Sequence, residues 1–155
     1  MRVLQNERAV AFLGTVRAAM LHALRVKALQ GPVLSTSQAV LDYFYAHLAH
    51  APAEQVRVLF LDAKNHLLRD TLVGMGSIDE VSIYPREIMR QALEANAKGL
   101  ILVHNHPSGD PSPSEGDKEA TFRLAAAART LEIRLYDHII VGTAGWTSFR
   151  VLGLL

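Results

Sequence analysis

Apolar residues recur at helical spacing through the first third of the chain. The pattern runs from about Glu7 to Gln30, where Gly31-Pro32 ends it, and it returns in the stretch AVLDYFYAHLAH. This second stretch follows Ser35-Thr36-Ser37, a typical helix start, and stops before Pro52. Two helices are therefore predicted ahead of the first β-rich segment.

Shorter runs with a different pattern predict the strands. VRVLFLD, from Val56 to Asp62, precedes the turn-like AKN and a second run from His66 to Met75, which together indicate a β-hairpin. LILVH, from Leu100 to His104, is continuously apolar and lies between Gly99 and a proline-rich loop. Such a run is typical of a strand that is buried on both faces of a sheet.

The remaining elements alternate between helix and strand. A helix is predicted from Pro85, which suits a first helical turn, to Ala97, with Lys98-Gly99 as its C-cap. A further helix follows from Ser114 onward through EGDKEATFRLAAAARTLEI. The last two predicted strands are Arg134 to Val141 and Trp146 to Val151. This order predicts an α/β fold in which helices flank one mixed β-sheet, with an additional N-terminal helix.

Composition narrows the class of protein. The chain has 155 residues, half of them hydrophobic and a fifth charged, which suits a single compact domain. It contains no cysteine, which excludes a disulfide scaffold, a thiolate zinc cluster and a cysteine nucleophile, and favours a reducing, cytoplasmic location. The formal net charge of +1 is too small for a protein that acts mainly by wrapping a phosphate backbone.

Positive charge is concentrated near the N-terminus. Residues 1–34 carry five cations and one acid, which gives +4 there and about −3 in the remainder. Charged residues and a histidine interrupt the apolar stretch, so no unbroken run approaches the ~20 residues that span a bilayer, and no cleavage site of a secretory signal follows. We therefore expect a basic amphipathic helix and linker over residues 1–34, without membrane contact, and a second region over residues 35–155.

Two histidines and an aspartate form the candidate metal site. His104 and His106 lie one residue apart at the end of a predicted strand, so both imidazoles point to the same side. Asp117 follows after a loop that three prolines stiffen. Two imidazoles and one carboxylate leave a tetrahedral position open for water, as in catalytic zinc sites, where zinc lowers the pKa of that water to about 7. The sequence predicts one zinc ion per chain.

Hydrolysis also requires a proton carrier and a donor for the developing oxyanion. A carboxylate that does not bind the metal suits the first role, and the upstream candidates are Glu54, Glu80 and Glu87. Ser114, three residues before Asp117, suits the second.

Simpler structural roles compete with these assignments. Ser114 and Asp117 have the spacing of a capping box, which would satisfy helix amides without a metal. Asp137 and His138 could lie behind the metal ligands, with the aspartate orienting an imidazole, or could be two polar residues on a strand.

The segment HNHPSGDPSPSEGD, from His104 to Asp117, resembles the JAMM (MPN+) metallopeptidase motif, which is HxH, seven residues, Ser, two residues, Asp. Its residues HNHPSGDPSPS are similar to those of the bacterial RadC branch of that family. The similarity extends to PRE at 85–87 and YDHIIV at 136–141, and covers roughly residues 35 to 152. The resemblance implies the JAMM/MPN sandwich, a cytidine-deaminase-like fold. Deaminase chemistry itself is excluded because it needs a cysteine pair.

The resemblance also implies residue roles. His104, His106 and Asp117 match the family's zinc ligands, Ser114 matches the serine that steadies the tetrahedral intermediate, and Glu54, just before VRVLFLD, matches its acid/base glutamate. The implied activity is that of a zinc-dependent peptidase or isopeptidase on a peptide or protein substrate.

Two other functions remain open from the sequence. Longer RadC proteins look as though they begin with a helix-hairpin-helix region, a DNA-binding type of module, whereas this sequence has room there only for its first predicted helix. One alternative is therefore a DNA-repair-associated nucleic-acid-binding accessory domain with a zinc-containing scaffold, which the basic first helix favours. The other is an interaction module that forms a homodimer through that helix, because its apolar stripe is large.

Overall fold

The computed structural model describes residues 2–28, 31–33, 37–76 and 83–155. Within these ranges it contains four helices and five strands, which confirms the predicted α/β class. The elements, in chain order, are α1 (Arg2–Ala28), α2 (Ser37–Leu48), β1 (Glu54–Leu61), β2 (Leu67–Gly76), α3 (Pro85–Glu94), β3 (Gly99–Asn105), α4 (Glu115–Thr130), β4 (Arg134–Gly142) and β5 (Gly145–Ser148).

The strands form one mixed sheet in the order β2-β1-β3-β4-β5. β1 pairs antiparallel with both β2 and β3, so the predicted hairpin is present and leads into the centre of the sheet. β3 and β4 run parallel and are connected through α4, whereas β5 returns antiparallel to β4. The carboxyl end of β3 is consequently an inner position of the sheet, flanked by β1 and β4.

Helices cover both faces of the sheet. On one face, which we call the α4 face, α3 and α4 pack against residues such as Val58 and Leu102. On the other, the α2 face, α2 and the end of α1 pack against residues such as Ile101 and Val103. Every residue of β3 is buried, because its alternate side chains enter the two cores. The continuously apolar LILVH pattern therefore predicted its environment correctly.

Most of α1 lies apart from this core. Ala28 is buried and Leu24 packs partly against the α2-face cluster, whereas Phe12, Leu13 and Met20 are more than 60% exposed. By length and composition, Asn6–Ala28 is apolar enough to cross a membrane, and no residue of its apolar 18-residue window is buried. A core helix and a signal sequence meet the same criterion, so this finding alone does not establish a membrane span.

The predicted end of α3 is wrong. The helix stops at Glu94, and Asn96 takes a left-handed conformation with φ 51° while the Ala97 amide bonds back to the Ala92 carbonyl. Gly99, predicted as the cap, instead begins β3. A Cβ atom there would lie 2.2 Å from Cε2 of Tyr136, so its missing side chain makes room for that ring.

Two other predicted boundaries also extend too far. α4 ends at Thr130, because Glu132 has φ 55° and the Ile133 amide bonds to the Ala128 carbonyl. β5 ends at Ser148, after which the Asp137 carboxylate accepts a hydrogen bond from the Arg150 amide and the chain turns. The Ser35-Thr36 start signal, the predicted helix end at Gln30 and part of the predicted linker lie outside the described residues.

Candidate metal centre

The candidate metal ligands meet where β3 ends and α4 begins. His104 and His106 project to the α4 face, and their Nε2 atoms lie 2.9 Å apart. Nε2 of His104 is 3.2 Å from Asp117 Oδ1, and Nε2 of His106 is 3.4 Å from Asp117 Oδ2. One ligand atom from each residue lies within 4.8 Å of the others. This group of two imidazoles and a carboxylate could hold a metal ion.

The far nitrogen of each imidazole contacts the surrounding protein. Nδ1 of His106 donates to the Asp110 carbonyl at 2.9 Å, and Nδ1 of His104 lies 2.7 Å from Nε2 of His138. These contacts turn both Nε2 atoms towards Asp117. Such partners on the far nitrogen are usual for metal-binding histidines, since they fix the orientation of the ring.

The loop after His106 is fixed against the end of β4. The His106 amide donates to the Val141 carbonyl at 2.8 Å, and the Ala144 amide donates to the Gly109 carbonyl at 3.0 Å. Gly142 allows this approach, because a Cβ atom there would lie 2.3 Å from the Gly109 carbonyl oxygen. The loop therefore holds the Asp110 carbonyl in place for His106.

Ser114 and Asp117 also form the capping box that their spacing predicted. The Ser114 hydroxyl accepts from the Asp117 amide, and the Asp117 carboxylate accepts from the Ser114 amide at 2.8 Å. The Ser114 hydroxyl donates its proton to Asp117 Oδ2 at 2.6 Å. Capping thus occupies Oδ2, while Oδ1 faces His104, so one carboxylate can serve both the helix and a metal ion.

Glu54 begins β1 beside this group. Val56 is paired with His104, so Glu54, two positions earlier, lies on the same face of the sheet. The buried amide of Asn105 accepts from the Gln55 amide at 2.9 Å and donates to the Ala53 carbonyl at 3.1 Å, which fixes the backbone on both sides of Glu54. Sequence reasoning missed Asn105, although its position between the two histidines was a signal.

Of the other two glutamate candidates, only Glu87 lies among the described residues. Glu87 is exposed on α3, where its carboxylate accepts hydrogen bonds from Arg90 and Gln91. Arg86 is likewise exposed on that helix. Glu80 lies outside the described residues.

The electrostatics of the site favour a charged carboxylate. Burial alone would raise the pKa of Asp117, but the nearby His104 and His106 rings, whose charged forms a carboxylate stabilises, and the hydrogen bond from the Ser114 hydroxyl hold it well below its ordinary value. The hydrogen bond with Asp117 raises the pKa of His106, against the effect of burial. The Asp117 carboxylate is therefore anionic, and it would present a charged oxygen to a cation held by His104 and His106.

Of the two alternatives for Asp137 and His138, the contacts of Asp137 fit the structural one, whereas His138 does contact a candidate ligand. Asp137 accepts from the backbone amides of His138 and Arg150 and from the Ser148 hydroxyl, so it orients no imidazole. The His138 ring is fully buried between His104 and Thr121. Burial lowers its pKa well below the ordinary value.

Comparison with known proteins assigns the family. A family model described as a RadC-like JAB domain matches residues 34–154. A UPF0758 protein of Rhodobacter capsulatus is 49% identical over 150 residues, which are 97% of this chain and 70% of that protein. A UPF0758 protein of Ruegeria pomeroyi is 43% identical over 150 residues, 97% of this chain and 67% of that protein. With this match and the His-His-Asp group at the end of its central strand, the chain belongs to the RadC family.

Proposed function

We propose that the protein is a zinc-dependent hydrolase of the JAMM type that cleaves peptide or isopeptide bonds. The observation that carries the proposal is the convergence of His104, His106 and Asp117, whose ligand atoms lie within 4.8 Å of one another. The family match supports the same reading, since it covers the whole of this site.

The residues present fit a zinc ion. Two neutral imidazoles with their Nε2 atoms turned inward and one carboxylate are a ligand set of catalytic zinc, and the chain has no thiolate that would close the site. When bound, zinc would supply Lewis acidity, which lowers the pKa of a coordinated water and polarises a carbonyl. His104, His106 and Asp117, through Oδ1, are the residues that would hold it.

Glu54 and Ser114 would provide the remaining chemistry. Glu54 lies on the same face of the sheet as the histidines, where its carboxylate can take a proton from water and pass it to the leaving amine. Ser114 currently donates to Asp117, so its hydroxyl must rotate away before it can donate to an oxyanion. The Ser114 amide still holds Asp117 Oδ2 after that rotation.

The metal proposal is tested by zinc content after purification without added metal. We expect about one zinc per chain in the wild type and a loss of most of it in Asp117→Asn. Asp110→Asn is the matched control, because it removes the same charge from the loop before α4, at a carboxylate that accepts from the Ser112 amide, and it keeps the backbone carbonyl that contacts His106. A wild-type protein that stays empty in excess zinc would refute the proposal.

Activity is tested separately with a panel of peptide and isopeptide substrates. Glu54→Gln keeps the shape of the side chain but removes the proton carrier, and a positioned acid/base group contributes about 10²- to 10⁴-fold to rate. Glu87→Gln is the control, since this exposed glutamate belongs to the surface of α3. Equal rates in Glu54→Gln and wild type would remove Glu54 from the mechanism.

A second candidate function is nucleic-acid binding through α1. Four of its cations, Arg8, Arg17, Arg25 and Lys27, are exposed. Binding of this kind loses affinity steeply as salt rises, because counterions are released from the phosphate backbone. The absence of measurable binding to duplex or single-stranded DNA at low salt would eliminate it.

The location that we propose is the cytoplasm. A protein without cysteine gains nothing from an oxidising compartment, and its RadC-like domain has a mixed sheet covered by helices on both faces. Fractionation of cells that express the full chain checks this, and recovery with membranes would contradict it.

A further inference from the structure

A hydrogen-bonded chain runs from α4 through the core to the first candidate ligand. Thr121 Oγ1 lies 2.5 Å from the Asp117 carbonyl oxygen and 2.5 Å from Nδ1 of His138. Nε2 of His138 lies 2.7 Å from Nδ1 of His104, whose Nε2 faces Asp117. Thr121, His138 and His104 are all fully buried, so water cannot replace any of these contacts.

From this chain we infer that Thr121 and His138 are positioning residues which fix the tautomer of His104, so that its Nε2 carries a lone pair ready for a metal ion. The inference rests on the proposed metal site. The role of both residues follows from where the protons must lie along the three contacts of this chain.

The Thr121 hydroxyl, at the start of this chain of contacts, has one proton. The Asp117 carbonyl can only accept, so a contact of 2.5 Å between the two oxygens requires that proton to lie between them. Thr121 Oγ1 must then accept from His138, whose Nδ1 carries a proton. The Nε2 atom of a neutral His138 is left with a lone pair.

The lone pair on His138 determines the tautomer of His104. Since Nε2 of His138 accepts, Nδ1 of His104 must donate, and the proton of a neutral His104 ring is used there. Its Nε2 therefore presents a lone pair towards Asp117 and towards Nε2 of His106, 2.9 Å away. With His106 in the same tautomer, only electron-pair donors face one another there, and a cation would satisfy them. In the reverse arrangement His104 would place a proton on Nε2 and donate it to Asp117, and that proton would have to leave Nε2 before the nitrogen could bind metal.

His106 reaches the same tautomer by a shorter path. Its Nδ1 donates directly to the Asp110 carbonyl, which can only accept. The tautomer of His106 is thus fixed by a loop carbonyl, whereas that of His104 is fixed through one side chain of α4 and one of β4. The ring of Phe149 stacks on His138 with centroids 4.6 Å apart and holds it in plane for this relay.

The first test reads the tautomers directly in wild-type protein. Imidazole nitrogen chemical shifts, measured by long-range ¹H–¹⁵N correlation with and without zinc, distinguish protonated from lone-pair nitrogens. We expect Nδ1 protonated and Nε2 unprotonated in His138 and in zinc-loaded His104. A proton on Nε2 of His138 would overturn the inference.

The second test measures zinc affinity by chelator competition. Thr121→Val keeps the shape but removes the hydroxyl, and loss of such an outer partner weakens metal binding about 10- to 100-fold. Thr121→Ser should restore it. Thr130→Val is the matched control, because Thr130 on the same helix also donates to a carbonyl four residues earlier, while no histidine is among its hydrogen-bond partners in the described part of the chain.

The outcomes separate this inference from the proposed function. If wild type binds no zinc, the proposed function fails, while the nitrogen shifts still test the relay in the metal-free protein. If wild type binds zinc and Thr121→Val binds it equally well, only the relay fails. If Thr121→Val does not fold, His138→Gln, whose amide oxygen can accept from His104, should bind zinc more tightly than His138→Leu; equal affinities contradict the relay.

Discussion

At the residue scale, the site depends on three consecutive residues at the end of β3. His104 and His106 point to the α4 face, and the residue between them, Asn105, holds the backbone beside Glu54 through two hydrogen bonds. The alternation of a β-strand gives neighbouring residues these separate tasks. A single strand end thus places both candidate histidine ligands and the candidate proton carrier.

Replacing Asn105 tests this arrangement. In Asn105→Ala the Gln55 amide and the Ala53 carbonyl lose their partners, and we expect the free energy of unfolding to fall by about 1–3 kcal/mol. Urea unfolding measures the change, and zinc affinity should stay near the wild-type value because both histidines remain. Asn6→Ala, at an exposed position on α1, should change stability by less than about 0.5 kcal/mol. Equal stability of the two variants would contradict the role of Asn105.

The sequence predicted only part of this site. The spacing of His104, His106 and Asp117 follows from strand alternation and a stiff loop, so their convergence could be expected from local reasoning. The contact of His104 with His138 joins residues 34 apart and depends on the register of β3 against β4, in which Leu102 pairs with His138. No local pattern specifies that register.

At the element scale, helix starts were easier to predict than helix ends. Pro85 and Ser114 mark the starts of α3 and α4 with chemistry that belongs to those positions. The ends depend on Asn96 and Glu132, which adopt positive φ although neither is glycine. Asparagine is a common non-glycine residue at such helix ends, so Asn96 was a signal for the end of α3, whereas the residue type of Glu132 gives no such signal.

The start of α4 can be weakened at one atom. Ser114→Ala removes the hydroxyl that accepts from the Asp117 amide, and loss of a serine cap costs about 1 kcal/mol of stability. Thermal and urea unfolding of metal-free protein measure this. Ser108→Ala, an exposed serine of the same loop, should leave stability unchanged, and an equal effect of the two substitutions would argue against the cap.

The surface of α3 gives a pH-dependent prediction. Hydrogen bonds from Arg90 and then Gln91 lower the pKa of Glu87 from 4.5 to about 2. A lowered pKa contributes stability above pH 4.5 that is lost as pH falls towards 2. The urea midpoints of wild type and Glu87→Gln should therefore differ at neutral pH and converge over that range. In an Arg90→Gln background the Glu87 substitution should have little effect, and an unchanged difference there would refute the pairing.

At the scale of the whole molecule, α1 is the part least integrated with the rest. Its last turn reaches the α2-face core through Leu24 and Ala28, whereas Phe12 and Leu13 are exposed. The sequence predicted a helix here, but the structure begins it at Arg2, five residues before the predicted Glu7, and the predicted end at Gln30 lies outside the described residues. The predicted amphipathic character is absent, since the apolar residues of α1 do not gather on one face. A partner that covered its exposed apolar residues would belong to an assembly, which the pattern of one chain does not specify.

We expect α1 to bind a second copy of the chain. Removal of residues 1–20 leaves Leu24 and Ala28 in place, and should convert a dimer into a monomer without a loss of zinc affinity. Light scattering at several concentrations measures the mass. The double variant Phe12→Gln/Leu13→Gln tests the same surface within the full-length chain. A wild-type protein that is monomeric at all concentrations would contradict this expectation.

The double use of the Asp117 carboxylate has a practical consequence for mutagenesis. Alanine at this position would remove a charge from between the imidazoles and an acceptor from the Ser114 amide, so a dead variant could reflect a frayed helix as easily as an empty site. Asparagine retains an oxygen for that amide while it lowers the charge. A lost activity can therefore be attributed to lost metal coordination only when the substitution preserves the start of α4.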